Sequence, residues 1–262
     1  MPLITPESTP ESQAPAASAS AWDRFFRVEV LSQTPNPQQV IYAAMHQDYA
    51  EAFVWDERDR FPDETKAGQL IIKHLLAGNR GHYGPLEHPQ ITLNCGYFPH
   101  STMQQMRTHR VGVSFDVQSF RYTGKRILDV VSGERDVEEV FYLRPVGSYS
   151  DRQGKRYNYT EAQRQQDREW CLEGCRRYRE RIEQGFSEEH ARGLIPFDVR
   201  QHWVLSANTR SLMHLLDLRW KGDAQLEAQQ LCELIWVHFQ AWVPEIAEWY
   251  AANRMKKARL AP

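Results

Sequence analysis

The sequence predicts an α+β fold in a single domain, with a mixed helix and strand N-terminal half and a mostly helical C-terminal half. Three observations carry this. The segment Gln90 to Phe98 alternates Ile91, Leu93, Cys95 and Tyr97, the period of a half-buried strand. From Thr160 onward the apolar residues recur mainly at helical spacing. No repeat or internal linker interrupts residues 22–262, and 262 residues are enough to bury one large core.

Residues 1–21 are Pro, Ser, Ala, Thr and Glu with almost nothing large and apolar, so they predict a disordered tail. Trp22 to Val30 reads as the first structured piece. Asn36-Pro37 opens a helix with Asn36 as cap and Val40, Ala43, Ala44 and Gln47 as its inner stripe. A second helix is expected from Asp63 to Leu76, stopping at Gly78, with Leu70, Ile71 and Leu75 on one face. Pro99 ends the strand. Ser101 and Gln104 have capping-box spacing, which predicts a helix from Thr102 to Arg110 ending near Gly112. Glu138 to Leu143 reads as another strand. Thr160 and Gln163 form a second capping box, opening a helix that aligns Cys171, Cys175, Tyr178 and Ile182 and ends at Gly185. Helices are then expected over Trp203 to Leu216, over Asp223 to Val243 with the stripe Leu231, Leu234, Ile235 and His238, and from Pro244.

Lys and Arg number 32 against 34 Asp and Glu, a net charge of −2. That excludes a bulk polycation, so any anion site must be local, and no nucleic-acid partner is expected. No run reaches the roughly 18 apolar residues of a membrane span. The first residues lack a basic stretch followed by an apolar one, unlike a secretory signal. Four cysteines without framework spacing suit a reducing cytoplasm.

The densest polar cluster is Gln105, Arg107, Thr108, His109 and Arg110, followed by Ser114, Asp116, Gln118, Ser119, Phe120, Arg121 and Tyr122. Guanidinium forks and short hydroxyl donors in one place suit phosphate. A solvated basic helix end is the bland alternative. Gly112, Ser114, Ser119 and Arg121 add donors to the same place and favour the anion site. A second set is Arg192, Asn208, Arg210, His214 and Arg219. Arg219 lies between a leucine-rich run and Trp220, where a guanidinium is costly without a partner.

Other chemistries lack their residues. There is no GxxxxGK[ST], GxGxxG, HExxH or GxSxG, and no CxxC pair. No cysteine sits among the basic residues that would activate a thiolate, and Cys171 and Cys175 read as buried apolar thiols. An anion site without nucleophile or metal suits an enzyme whose cofactor carries the chemistry.

These motifs resemble, in order, those of the flavin-dependent thymidylate synthases. The family's Arg-His-Arg, then Ser, then Arg-Tyr corresponds to Thr108-His109-Arg110 and Ser119-Phe120-Arg121-Tyr122. Upstream stands His82-Tyr-Gly-Pro85-Leu-Glu87-His88. Downstream stand Ala191-Arg192 to Pro196, Asn208-Thr209-Arg210-Ser-Leu212, Leu218-Arg219 and Ala224-Gln225-Leu-Glu227, so that residues 40–240 are covered. The resemblance implies reductive methylation of dUMP to dTMP in de novo dTTP biosynthesis. Methylenetetrahydrofolate would give the carbon, and FAD reduced by NADPH the hydride. It implies that Gln105, Thr108, Gln118, Ser119, Phe120, Arg121, Arg192 and Arg219 hold dUMP. Thr108, His109, Arg110, Asn208, Thr209, Arg210 and His214 would hold FAD. Arg219 would be catalytic, stabilising charge on the uracil ring. A cytoplasmic homotetramer with shared sites is implied. The chain departs from the pattern at three points: Thr108 replaces the first arginine, with Arg107 just before it; one residue is inserted before Ser119; and Asp116-Val117 replaces Asn-Glu.

Two other readings suit the same residues. A non-catalytic nucleotide or nucleic-acid binding module would use the arginines to grip phosphates alone. A metal hydrolase would use His82, Glu87 and His88, although Pro85 disfavours a helix that would align them.

Overall fold

The structure is a computed structural model, which describes residues 23–78, 81–151 and 153–257. The tail expected over residues 1–21 lies outside them, as does Trp22.

Strand β1 (Arg27–Gln33) precedes helix α1 (Pro37–Gln47) and helix α2 (Glu64–Ile71), which continues as a π-turn to Leu76. Then come β2 (Gln90–Pro99), α3 (His100–Met106), β3 (Val113–Val117), α4 (Lys125–Ser132) and α5 (Val137–Val140). A hairpin, β4 (Gly147–Ser150) and β5 (Arg156–Tyr159), leads into the 23-residue α6 (Glu161–Glu183) and the single turn α7 (Glu188–Ala191). The chain ends with β6 (Arg200–Asn208), α8 (Thr209–Arg219), α9 (Leu226–Trp242) and α10 (Pro244–Asn253).

Four strands form an antiparallel sheet in the order β1-β2-β6-β3. Leu93 faces Leu205 and Cys95 faces Trp203 across its centre, and these buried side chains join α1, α2, α8, α9 and α10 in the larger core. A second core gathers α4, α5 and α6 around Phe120, Ile127, Phe141, Cys175 and Tyr178. Arg200, 1% exposed, spans the junction. It donates to the carbonyls of Glu138 (2.7 Å) and Tyr97 (2.9 Å) and to Asp23 Oδ2 (2.6 Å). A guanidinium this buried is tolerable only with its donors satisfied in this way.

Several expectations are corrected. Trp203 to Asn208 is strand, because Trp203, Leu205 and Ala207 alternate into the core; helix starts only where Asn208 accepts from the Ser211 amide at 2.8 Å. The first half of the strand expected over Glu138 to Leu143 belongs to the short helix α5. Asp136 and Glu139 close a capping box there, and extended backbone resumes at Phe141, which bridges to Val199. Ser101 caps nothing. α3 starts at His100, and the Ser101 amide is taken by Asp198 Oδ1 at 3.1 Å. That helix stops at Met106, so Thr108, His109 and Arg110 lie in the turn beyond it. The buried side of α1 is Gln38, Ile41 and Met45 rather than Val40, Ala43, Ala44 and Gln47; Asn36 sits at its start but gives no side-chain cap. α9 begins at Leu226, three residues after Asp223.

The Thr160 capping box and the Pro244 helix stand as expected, and so does the strand at Gln90 as far as Cys95; an irregularity between Gly96 and Phe98 then buries Phe98 in place of Tyr97. Among the described residues, no helix is long and apolar enough to cross a membrane.

Candidate active site

Helix α8 follows directly on the interior strand β6 and ends on Arg219, whose guanidinium is clasped by the end of α3 and the turn after it. Its Nε donates to His109 Nε2 at 3.0 Å, and its Nη2 to Thr108 Oγ1 at 2.9 Å and the Gln105 carbonyl at 3.3 Å. Accepting from Nε requires His109 Nε2 to be unprotonated. Burial, the Arg219 charge and His214 together bring the His109 pKa down to about 4, so the ring is neutral near pH 7. The rings of His109 and His214 lie 5.6 Å apart, edge to face. Burial also lowers the Arg219 pKa from its ordinary value. Among the described residues, no partner accepts from Arg219 Nη1.

Behind this cluster stands a polar chain in which Gln105 Nε2 donates to Gln225 Oε1. Gln225 Nε2 in turn donates to Glu227 Oε2 (2.8 Å) and Ser101 Oγ (3.1 Å). Glu227 is 1% exposed and also accepts from Tyr142 (2.9 Å) and from Arg144 Nε (2.7 Å) and Nη2 (3.1 Å). Burial pushes its carboxyl up, but the Arg144 fork outweighs that and holds it below the ordinary range. Gln225 and Glu227 were not among the expected site residues; their signal was the Ala224-Gln225-Leu-Glu227 motif.

The other expected nucleotide residues lie around a cavity of about 490 Å³ lined in part by Arg107, Gln118, Ser119, Phe120, Arg192 and Gln201. No carboxylate lines it. Among the described residues, neither Arg107 nor Arg192 has an ion pair. The side-chain oxygens of Gln118 and Gln201 are buried and accept no hydrogen bond, and Gln201 is 1% exposed. Consecutive residues thus divide the work: Arg107 faces the cavity, whereas Thr108 faces Arg219. Arg121 stands apart, its Nε donating to Glu189 at 2.8 Å.

Of the residues expected to hold flavin, Asn208, Thr209 and Arg210 lie where β6 passes into α8 and His214 lies midway along that helix, whereas Thr108 and His109 meet Arg219 at its far end. Gly112, at φ +64°, accepts from the Asn208 amide at 3.3 Å, and a Cβ there would collide with Ser211 Oγ and Asn208 Nδ2. Thr209 Oγ1 and His214 Nδ1 are buried without a partner. Arg210 pairs with Glu87 at 2.5 Å, joining the downstream motif to His82–His88, and Arg110 is exposed. Buried unpaired polar atoms on the same helix as the Arg210 guanidinium fit a cofactor rich in acceptors and donors.

The thiols are shielded. Burial pushes Cys171 and Cys175 up to about 12, and Cys95 and Cys232 further. His82 Nε2 bonds Asp48 at 2.7 Å while Glu87 is taken by Arg210, and the described residues hold no cluster of three metal-ligating side chains.

Residues 29–245 match the family described as thymidylate synthase complementing protein. The chain belongs to that family. It is 34% identical over 251 residues to the flavin-dependent thymidylate synthase of Halobacterium salinarum, covering 90% of this chain and 100% of that protein. Against the one from Haloarcula marismortui it is 31% identical, covering 90% and 99%. Its fold is similar to a UMP/dUMP methylase from Streptomyces cacaoi bound with 5-Br dUMP (TM-score 0.69, 22% identity, covering 90% of this chain and 97% of that one). It is also similar to thymidylate synthase X from Helicobacter pylori with FAD and dUMP (TM-score 0.63, 18% identity, 85% and 99%).

Proposed function

We infer that the protein is a flavin-dependent thymidylate synthase, converting dUMP to dTMP with methylenetetrahydrofolate as carbon donor and NADPH as reductant of FAD. The observation that carries this reading is the acid-free cavity with its unpaired guanidiniums and buried amide acceptors, adjoining an arginine already clasped by neutral groups. A ligand that suits it brings a phosphate for the cations and hydroxyl or imide donors for the amides, as a nucleoside monophosphate does. Family membership supports the same reaction.

Arg192 and Ser119 bind the phosphate, with Gln118 and Phe120 against the sugar, and Arg121 joins the nucleotide site from outside the cavity lining. Arg219 faces the uracil ring. Its Nε and Nη2 are held by His109, Thr108 and Gln105, so the donors on Nη1 are aimed before substrate arrives and stabilise negative charge developing on the ring. Asn208, Thr209, Arg210, His214, His109 and Arg110 hold FAD. When bound, FAD supplies the hydride; the protein supplies position and charge, with no thiol attack on the pyrimidine.

The assembly we propose is a homotetramer with shared sites, in which partner subunits complete what one chain presents. Val111 (86% exposed) and Tyr122 (81%), beside the arginines, give a partner subunit apolar surface to cover. The charge balance and the buried thiols suit a cytoplasmic enzyme.

An absorption spectrum of the purified protein, with and without dUMP, tests the whole. A yellow protein whose flavin reoxidation changes on adding dUMP is expected. A colourless protein that takes up no FAD but binds nucleotides would instead be a binding module.

A further inference from the structure

We propose that Arg107 is the second guanidinium of the substrate's phosphate clamp, closing on the phosphate together with Arg192 and Ser119. This rests on the reading of the cavity as the dUMP site and assigns a residue that the family signature does not mark, since the signature's first arginine falls on Thr108.

The structure separates Arg107, Arg110, Arg121 and Arg192 by where they lie and what they already hold. Arg121 is engaged by Glu189. Arg110 does not line the cavity and lies on the turn leading to Gly112. Arg107 and Arg192 both line the cavity, and neither meets a carboxylate there. A phosphate monoester carries nearly two charges at neutral pH and offers three acceptor oxygens. Two guanidiniums and a hydroxyl match that charge and that number of acceptors, which one guanidinium does not.

The position also explains how Arg107 stands unpaired without ligand. It is the residue that closes the C-terminus of α3, where carbonyls at the negative end of the helix favour a cation. His100, on the first turn of the same helix, lines the cavity too. Burial keeps its pKa low, Asp198 raises it and Arg107 lowers it again, so near neutral pH His100 stays uncharged and adds no third cation. Thr108 cannot take the role from the next position, because its hydroxyl donates to the Gln105 carbonyl (2.7 Å) and accepts from Arg219.

A phosphate in this cavity could come from dUMP or from the pyrophosphate of FAD, and binding measurements on the flavin-loaded protein separate the two. Wild type, Arg107→Ala and Arg107→Lys are titrated calorimetrically with dUMP and with deoxyuridine, which lacks the phosphate, while flavin content is read by absorbance. Arg107→Ala should weaken dUMP roughly 10- to 100-fold, the scale of a lost charge-assisted fork, and leave deoxyuridine and flavin content unchanged. Arg107→Lys should recover part of the loss, since lysine returns the charge without the fork. A wild-type ratio of dUMP to deoxyuridine affinity in Arg107→Ala would overturn the proposal, as would an equal loss for both ligands. Loss of FAD with dUMP affinity intact would move the clamp to the cofactor and also overturn it. A wild type that binds dUMP no better than deoxyuridine would sink the reading of the cavity itself, a distinct result. Melting curves verify folding, and Arg107→Lys carries the test if the alanine variant is unstable.

Discussion

The arginines of this protein fall into two regions that handle charge in opposite ways. Arg219 is fully engaged on one side, by a neutral histidine, a hydroxyl and a carbonyl. Arg107 and Arg192 face a cavity without a carboxylate. A cation bound by neutral acceptors is positioned but not neutralised, so its field stays available for charge that develops during a reaction. Cations left unpaired are waiting for a permanent anion. The difference predicts separate kinetic consequences: loss in the first region falls on turnover, loss in the second on affinity.

The largest effect should come from Arg219→Ala. Formation of dTMP should fall by about 10³-fold or more, with flavin content and assembly intact, as followed by single-turnover product analysis. Retained turnover would erase the contrast between the two regions. Next, Arg192→Ala should raise KM for dUMP roughly 10- to 100-fold with a much smaller change in kcat, and added salt should narrow the gap from wild type. A fall confined to kcat would place Arg192 with the chemistry instead.

A third expectation concerns acid. The pKa of His109 is about 4 in the folded protein, lowered by burial, Arg219 and His214, against an ordinary 6.5. Between those values the unfolded chain binds more protons, so stability should fall as pH drops from 6.5 toward 4. His202, also brought to about 4 by burial and Arg126, acts in the same direction. Melting temperature against pH measures this, and His109→Gln, which removes one titrating ring, should flatten the curve. The smallest effect sharpens the comparison most. Thr108→Val removes one hydroxyl from the Arg219 clasp, worth about 1 kcal/mol or roughly fivefold in kcat, without moving the KM for dUMP. A change in KM instead would show that Thr108, not Arg107, faces the phosphate.

Much of this was legible in the chain. Ordered motifs located the arginines, and alternation from Gln90 located the central strand. What misled were places where local chemistry and tertiary context disagree. Ser101 and Gln104 have capping spacing, yet Asp198 takes the Ser101 amide and moves the helix start forward. Val199 to Asn208 mixes apolar and polar residues in a way that suits either period, and only pairing with β2 and β3 makes it a strand. The site divided similarly. The grouping of Gln118, Ser119, Phe120 and Arg192 followed from the motifs, whereas the opposite facings of Arg107 and Thr108 depend on a helix that ends four residues earlier than its sequence implies. Gln225 and Glu227 carried a motif but no chemistry until the fold brought Gln105 and Arg144 beside them.

Gly112 ties these regions at one backbone position. It lets the turn after His109 lie against the capping residue of α8, and both its dihedral angle and the crowding by Asn208 and Ser211 oppose a side chain there. Even the mildest replacement, a methyl group, would pry the loop bearing the clasp away from the helix bearing the arginine. The spacing of two distant sequence segments, and with it the aim of the Arg219 guanidinium, hangs on one missing carbon.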